Sequence, residues 1–293
     1  MVKLGVNRYG KAEIRMVRVG RGAGSGGSDV LRDWNVSTSL SGDLAGSHLT
    51  GDNSNVLATD SQKNKVYALA KELGPVEPEA FALALAPFFT SSQAPISRAR
   101  VSIDEYGWNP IGAGGYSFAR AGDLVRTTTV IHDVDAGTSL VSGIKDLIVM
   151  NTTGSEFWGF PKDPYTTLPE TKDRILATAV NASWRFWPDT FGRVDWGWAF
   201  GRAKQTILDT FAGTYSYSLQ QMLFALGSAL IAAIPEICEV RLALPNRHHF
   251  IVDLAPFGLD NDREVYHADD RPYGLIEGSV LADFAPDASL AWT

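Results

Sequence analysis

The chain has 293 residues, of which 45% are hydrophobic and 20% are charged, and its net charge is -7. This length suits one large domain or two of moderate size, with enough apolar residues for a core. The negative charge and the lack of a basic stripe disfavour a nucleic-acid-binding protein, because phosphate contacts need clustered Lys and Arg. The single cysteine, Cys238, excludes an intrachain disulfide.

The two ends of the chain and its apolar runs predict a cytoplasmic protein. The first residues lack the long apolar run of a signal peptide, and the last residues, "DASLAWT", carry no peroxisomal tripeptide. The longest apolar run, "FALALAPFF", contains Pro87 and is too short to span a bilayer. We therefore expect no membrane partner.

The first half of the chain predicts two strands, two helices and two more strands. β-branched and aromatic residues mark the strands, and a glycine-rich stretch, "GRGAGSGGSD", predicts a hairpin loop between the first two. Gly74 is typical of a helix C-terminus, and Pro78 of a first helical turn. The expected elements are strands at 12–19 and 33–40, helices at 60–73 and from 78, and strands at 96–106 and 116–132.

The second half repeats this order, with strands at 144–150 and 174–186, helices at 195–212 and 218–233, and strands at 238–245, 249–254 and 274–282. The repeat predicts an α+β fold of two tandem modules, residues 1–135 and 136–293, with the boundary near 133–140. Each module would be an antiparallel sheet with a helix pair on one face. Open sheet edges favour oligomerisation by edge pairing.

Thr59 and Asp60 stand together where the first helix is expected to begin. Either residue can cap a helix, so two in a row are one more than the cap needs. We expect Asp60, or the hydroxyl before it, to cap the helix, which would leave Thr59 for another role. The alternative is that both side chains act only in capping.

Several short motifs carry little functional information. The stretch "GAGSGG" (22–27) has the spacing of a dinucleotide-binding loop, but a strand rather than a helix is expected after it, so we interpret it as a mobile hairpin. There is no GxSxG, Walker or HExxH motif, and a metal is not expected. His248 and His249 are adjacent on an expected strand, so only one of them can line a given site.

Three segments are rich in polar and aromatic residues: "GSEFWGFPKDPYTTLPETKDRILAT" (154–178), "SLQQM" (218–222) and "LPNRHHF" (244–250). Each alone could be purely structural, and the last is typical of a tight turn between two strands.

Together with "NRYGKAEIR", "GDNSNVLATDSQKNKVYALAKE" and "DRPYGLIEGSV", these segments resemble the uricase (urate oxidase) family. They follow the family order from near the start of the chain to about residue 280. The resemblance implies two tandem tunnelling-fold modules per chain and a barrel-like homotetramer that encloses a channel. It also implies oxidation of urate by O2 and water to 5-hydroxyisourate and H2O2, with no cofactor.

The resemblance further implies the catalytic residues. Lys11 of "RYGK" and Thr59 of "LATD" match the family's catalytic pair, and His248 of "LPNRHHF" matches a residue of the proton relay. Lys11 can accept a proton if burial favours its uncharged amine, and Thr59 would pass that proton on. Asn246 matches the residue at the oxygen or water site.

The implied substrate-binding residues are Thr59 and Asp60 at a helix start, Phe157, Arg174, Leu219, Gln220, Asn246 and Ile276. An aromatic face such as Phe157 can stack on a flat purine, and Arg174 offers a rigid fork of donors to its polar edge. Gln220 provides both a donor and an acceptor. Leu219 stands where the family often has valine, and Ile276 matches an apolar wall. Lys11 and Thr59 would come from one subunit. Phe157, which stacks on the purine, and the clamp of Arg174 and Gln220 on its polar edge would come from the neighbouring subunit.

Residues 20–28, 104–120 and 184–200 depart from the family pattern, and we expect them to lie outside the site. One alternative is a tunnelling-fold enzyme that acts on a pterin, sometimes with zinc, for which this chain lacks a histidine cluster. The other is a purine-binding or scaffold protein without catalysis, which the presence of both Lys11 and Thr59 disfavours.

Overall fold

The structure is a computed structural model that describes residues 1–288 and 290–293. In these residues nine strands form: Ile14–Gly20 (β1), Val30–Gly42 (β2), Ile96–Ile111 (β3), Ser117–Asp133 (β4), Gly137–Asn151 (β5), Leu176–Phe186 (β6), Ile237–Ile251 (β7), Tyr266–Asp269 (β8) and Leu275–Leu281 (β9). The α-helices are Ala45–Leu49 (α1), Thr59–Leu73 (α2), Pro78–Ser92 (α3), Trp196–Gly213 (α4) and Leu219–Ala233 (α5). The predicted α+β class with an antiparallel sheet is confirmed.

The strands form one antiparallel sheet in the order β1-β2-β3-β4-β5-β6-β7-β8. β9 also pairs with β7, along the first part of that long strand, while β8 pairs with its last four residues. α3 packs on β3 and β4, and α5 packs on β7 and β9. Buried and accessible residues alternate along β2 and β3, so one face of these strands contributes to a hydrophobic core.

The element order agrees with the sequence prediction, except that α1 and β8 were not expected and that one expected turn is absent. The expected turn in "LPNRHHF" does not exist, because β7 runs without a break from Ile237 to Ile251. The predicted boundary region contains the short turn between β4 and β5, which pair with each other up to Asp133 and Gly137. The division into modules 1–135 and 136–293 stays a prediction.

A buried ionic network lies between the sheet and the helices. Arg126 of β4 donates to Glu79 of α3 at 2.6 Å and to the carbonyl of Trp196 at the start of α4 at 3.2 Å. Ser142 of β5 donates to Glu79 at 2.7 Å. Burial raises the pKa of Glu79, and the charge of Arg126 opposes this shift. The network therefore connects α3, from the first half of the chain, to elements of the second half.

Among the described residues, no helix is both long and apolar enough to cross a membrane.

Candidate active site

Lys11 lies on a short extended segment that pairs with β2 just before β1 begins. The N–H of Thr38 donates to the carbonyl of Lys11 at 2.9 Å, whereas Ile14 pairs with Val36. The pairing is offset by one residue between these points, and Glu13 has a left-handed φ of 56°. The extra residue forms a bulge, which places Lys11 on the same face as Thr38, toward α2. This bulge is why β1 begins at Ile14 and not at the predicted residue 12.

The start of α2 differs from the prediction in how it is capped. Thr59 is the first helical residue, and no side chain caps the helix at Ala58. The Asp60 carboxylate instead bonds Lys63 and accepts from Asn64 at 3.0 Å. The expected cap by Asp60 or Thr59 is therefore wrong. Neither side chain is used by the helix N-terminus, although the Asp60 carboxylate is already bonded to Lys63 and Asn64.

The charge of Lys11 acts on Asp60 at the start of α2. The hydrogen bond from Lys63 lowers the pKa of Asp60, and the charge of Lys11 adds a smaller effect in the same direction. Lys11 thus lies near the start of α2, and its pairing with Thr59 stays a prediction.

A second group of predicted residues forms around Phe157 and Arg174. Phe157 exchanges two backbone hydrogen bonds with Thr171, at 2.8 and 3.0 Å, and the N–H of Arg174 donates to the carbonyl of Ser155 at 3.0 Å. The Arg174 Nε donates to Ser155 Oγ at 3.2 Å, and its Cζ lies 5.1 Å from the centre of the Phe157 ring. Burial lowers the pKa of Arg174. These bonds fix the aromatic ring and the guanidinium beside each other.

The start of α5 joins this second group through the backbone. Ser216 donates to the carbonyl of Gly154 at 3.0 Å, which ties the residues before α5 to the segment that carries Phe157. Ser218 then caps α5 by accepting from the N–H of Gln221 at 3.1 Å, and the Gln221 side chain accepts from the N–H of Tyr217 at 2.8 Å. The pair differs from a capping box in that the Gln221 side chain bonds the N–H of Tyr217, one residue before the cap, although the Ser-x-x-Gln spacing of "SLQQ" is typical of such a helix start.

Both Gln220 and Gln221 are exposed at the helix start, but the Gln221 side chain is used in the cap. The Leu219 side chain is only 3% exposed and belongs to the core. Leu219 can therefore reach a ligand only through its backbone, where the first N–H groups of a helix have no helical partner.

Of the predicted residues, Phe157, Arg174, Asn246 and His248 line a cavity of about 390 Å³, whereas Leu219, Gln220 and Ile276 do not. Asn246 and His248 are two residues apart on β7, so their side chains point to the same face of that strand. The His248 ring stacks on Phe250, with 5.6 Å between ring centres. The cavity is lined by Phe157, Leu168, Pro169, Thr171, Asp173, Arg174, Ile175, Asn246, Arg247, His248, His249, Phe250, Ile251 and Tyr266. Ile276 of β9 lies opposite Leu244 of β7 and packs on the core.

Within one chain the two groups of predicted residues lie apart. Lys11, Thr59 and Asp60 lie near β1 and β2, and none of them lines the cavity. The cavity lies at β7, near the other end of the sheet order. Five steps separate β2 from β7, which corresponds to about 24 Å along the sheet at the usual strand spacing. We call the group of Lys11, Thr59 and Asp60 the first half-site, and the group around the cavity the second half-site.

Among the residues that the structure describes, no three of the types His, Cys, Asp and Glu cluster as metal ligands would.

Sequence reasoning missed the residues that support the half-sites, namely Ser155, Thr171 and Ser216 in one and Thr38 and Gln62 in the other. Thr38 carries a weak signal, since it alternates with Val36 and Leu40 on the buried face of β2.

Comparisons with known proteins show similarity along nearly the whole chain. The sequence profile of the family described as uricase matches residues 7–131 and 140–277. The uricase of Arthrobacter globiformis is 44% identical over 279 residues, covering 95% of this chain and 90% of the relative. The uricase of Dictyostelium discoideum is 36% identical over 280 residues, covering 94% of this chain and 96% of the relative.

Solved structures extend the similarity to the fold. The crystal structure of the uricase from Arthrobacter globiformis aligns with a TM-score of 0.92 and 42% identity. The alignment covers 98% of this chain and 97% of that chain.

Proposed function

This chain belongs to the uricase family of urate oxidases, and we propose that it converts urate, O2 and water to 5-hydroxyisourate and H2O2 without a bound cofactor. The observation that carries the proposal is the cavity in which the Phe157 ring and the Arg174 guanidinium are fixed beside each other. The balance is complete, since O2 takes two electrons from urate and becomes H2O2 while water supplies the new hydroxyl group. O2 acts as a co-substrate.

Binding would use the second half-site. Urate is flat and anionic near neutral pH, so it can stack on Phe157 while the Arg174 fork contacts its polar edge. The Nε of Arg174 is already held by Ser155, which orients the two Nη groups for a ligand. Gln220 would contact the same edge, and the positive end of the α5 dipole, at the backbone of Leu219, favours an anion. Ile276 would form an apolar wall.

Catalysis would use the first half-site together with β7. Lys11 would accept a proton from urate, Thr59 would pass it on, and His248 would extend the relay. Loss of protons makes the purine electron-rich enough to give an electron to O2 directly. Asn246 would hold O2, and later water, above the ring. Asp60 would help to hold the substrate, since its carboxylate is exposed at the start of α2, where it also pairs with Lys63.

We further propose that each site forms between two copies of the chain in a barrel-like homotetramer built from tandem tunnelling-fold modules. The separation of the half-sites across the sheet supports this, since one chain alone does not bring Lys11 and Thr59 to the cavity. The sheet also has open edges, and edge strands pair readily with another chain.

The test is oxygen uptake and loss of urate absorbance with purified, metal-stripped protein. We expect turnover for the wild type and a loss of at least about a hundredfold for Lys11→Met and for Thr59→Ala, because general acid–base catalysis contributes at least that much. Unchanged rates in both variants would remove the pair from the mechanism. Tight urate binding without oxygen uptake in the wild type would indicate a binding protein instead of an enzyme.

A further inference from the structure

A series of buried hydrogen bonds joins Lys11 to the residues before α2. Thr38 is 4% exposed and Gln62 is fully buried. The N–H of Lys11 donates to Thr38 Oγ1 at 3.3 Å, and Thr38 Oγ1 donates to Gln62 Oε1 at 2.7 Å. Gln62 Nε2 then donates to the carbonyl of Leu57 at 3.3 Å. This series of hydrogen bonds ends at Leu57, two residues before Thr59.

The positions of the protons fix which group donates and which accepts in each of these hydrogen bonds. The Thr38 hydroxyl has one proton, which it gives to Gln62, so its lone pairs are left to accept from Lys11. The Gln62 amide can be assigned in only one orientation, because its oxygen accepts from Thr38 and its nitrogen donates to Leu57. Each buried polar group is paired, and any change of one partner leaves another unpaired.

The backbone is also shaped for this contact. A Cβ added at Gly10 would lie 1.8 Å from the carbonyl oxygen of Thr38, so only glycine allows the segment to approach β2 this closely. The bulge at Glu13 then places the Lys11 side chain on the same face of the sheet as Thr38. Three local features therefore converge on one position of the Lys11 backbone.

We propose that Thr38 and Gln62 are positioning residues that hold Lys11 in register with Thr59. This inference rests on the proposed function. Valine has nearly the shape of threonine and would suit the apolar neighbours Val36 and Leu40, so the core alone does not require a hydroxyl here. The hydroxyl is needed to link Lys11 to the start of α2. Because small misplacements of a reacting group can cost large factors in rate, loss of this link acts on turnover.

The test compares Thr38→Val with Thr38→Ser, which restores the hydroxyl, in the full-length protein. We expect Thr38→Val to lower kcat about tenfold or more with KM within about twofold, since the clamp is unchanged, and Thr38→Ser to keep at least about half of the wild-type kcat. Hydrogen exchange at the Lys11 amide should be faster in Thr38→Val. The matched control is Thr128→Val, because Thr128 is 1% exposed on β4 and its hydroxyl has no partner.

Three results would overturn the inference: a Thr38→Val kcat within twofold of the wild type, an equal loss in Thr38→Ser, or an equal loss in Thr128→Val. If Thr38→Val does not fold, Gln62→Met carries the test with the same expectation. Wild-type protein without urate-dependent oxygen uptake would overturn the proposed function, and this inference with it. Active wild type with an unaffected Thr38→Val would overturn the positioning role alone.

Discussion

Arg174 shows how one side chain can be fixed before any ligand arrives. Its backbone N–H and its Nε both bond Ser155, and its guanidinium lies beside the Phe157 ring. Ordering a long side chain on binding costs free energy, and here that ordering is already complete in the folded chain. The two Nη groups are thus presented as a planar pair.

Replacement of Arg174 by lysine tests this geometry. An ammonium keeps the charge but loses the fork and the bond through Nε, so we expect KM for urate to rise about tenfold or more, with a smaller effect on kcat. Steady-state oxygen uptake measures both constants. Arg193→Lys is the control, since Arg193 is exposed and lies 3.8 Å from Asp189, outside the cavity. An unchanged KM in Arg174→Lys would contradict the clamp.

At the scale of elements, the turn between β4 and β5 depends on one carboxylate. Asp133 accepts from the N–H groups of Asp135 and Ala136 at 3.0 and 2.9 Å, and from Arg98 Nε at 2.7 Å. Burial acts to raise the pKa of Asp133, but these hydrogen bonds outweigh it and leave the pKa below its usual value.

Asp133→Asn should therefore destabilise the fold in a pH-dependent way. Because the folded pKa is depressed, the charged form contributes stability above about pH 4, and this is lost as pH falls through the folded pKa. We expect a loss of about 1 kcal/mol at pH 7, discounted because Arg98 is partly exposed, and a difference that shrinks as the pH falls below about 4. Urea unfolding at pH 7 and at a series of lower pH values measures it.

Asp135→Asn is the matched control, since it makes the same charge change in the same turn at an exposed position. An equal loss of stability in both variants, or a difference that does not shrink as the pH falls below about 4, would contradict the role of Asp133.

Most elements could be predicted from alternation and glycine or proline signals, but two local signals were misleading. Pro245 and Asn246 favour a turn, yet they lie in the middle of β7, which pairs on both sides. The carbonyl of Pro245 accepts from Thr178 Oγ1 at 2.9 Å, so a side chain bonds the strand at the proline. Tertiary pairing overrides turn propensity there. Thr59 and Asp60 look like caps, but Asp60 pairs with Lys63 instead.

The candidate site was predictable only in part, for a related reason. Motifs identify Phe157, Arg174, Asn246 and His248, and the fold brings these four to one cavity. The link through Thr38 depends on contacts across 24 positions of sequence to Gln62, which no local pattern encodes.

At the scale of the whole molecule, the separation of the half-sites allows a complementation experiment. Lys11→Met disables the first half-site and Arg174→Ala the second. If each site combines half-sites from two chains, randomly mixed oligomers of the two inactive variants regain about a quarter of wild-type activity, because that share of sites receives two intact halves. Oxygen uptake after co-refolding or co-expression measures the recovery.

Oligomers of one variant alone are the control and should stay inactive. Mixed oligomers without recovered activity would contradict a site shared between subunits and would place both halves in a single chain.

The network around Arg126 bears on any attempt to divide this polypeptide. The turn at 134–136 is the obvious place to cut, since it is short and exposed. A fragment ending there would keep Glu79 and Arg126 but lose the Ser142 hydroxyl and the Trp196 carbonyl that complete their bonding. Charged groups left partly unpaired in an apolar interior oppose folding. Neither piece would therefore be a stable protein in isolation. A split reporter made from the two pieces would give a signal only when they fold together.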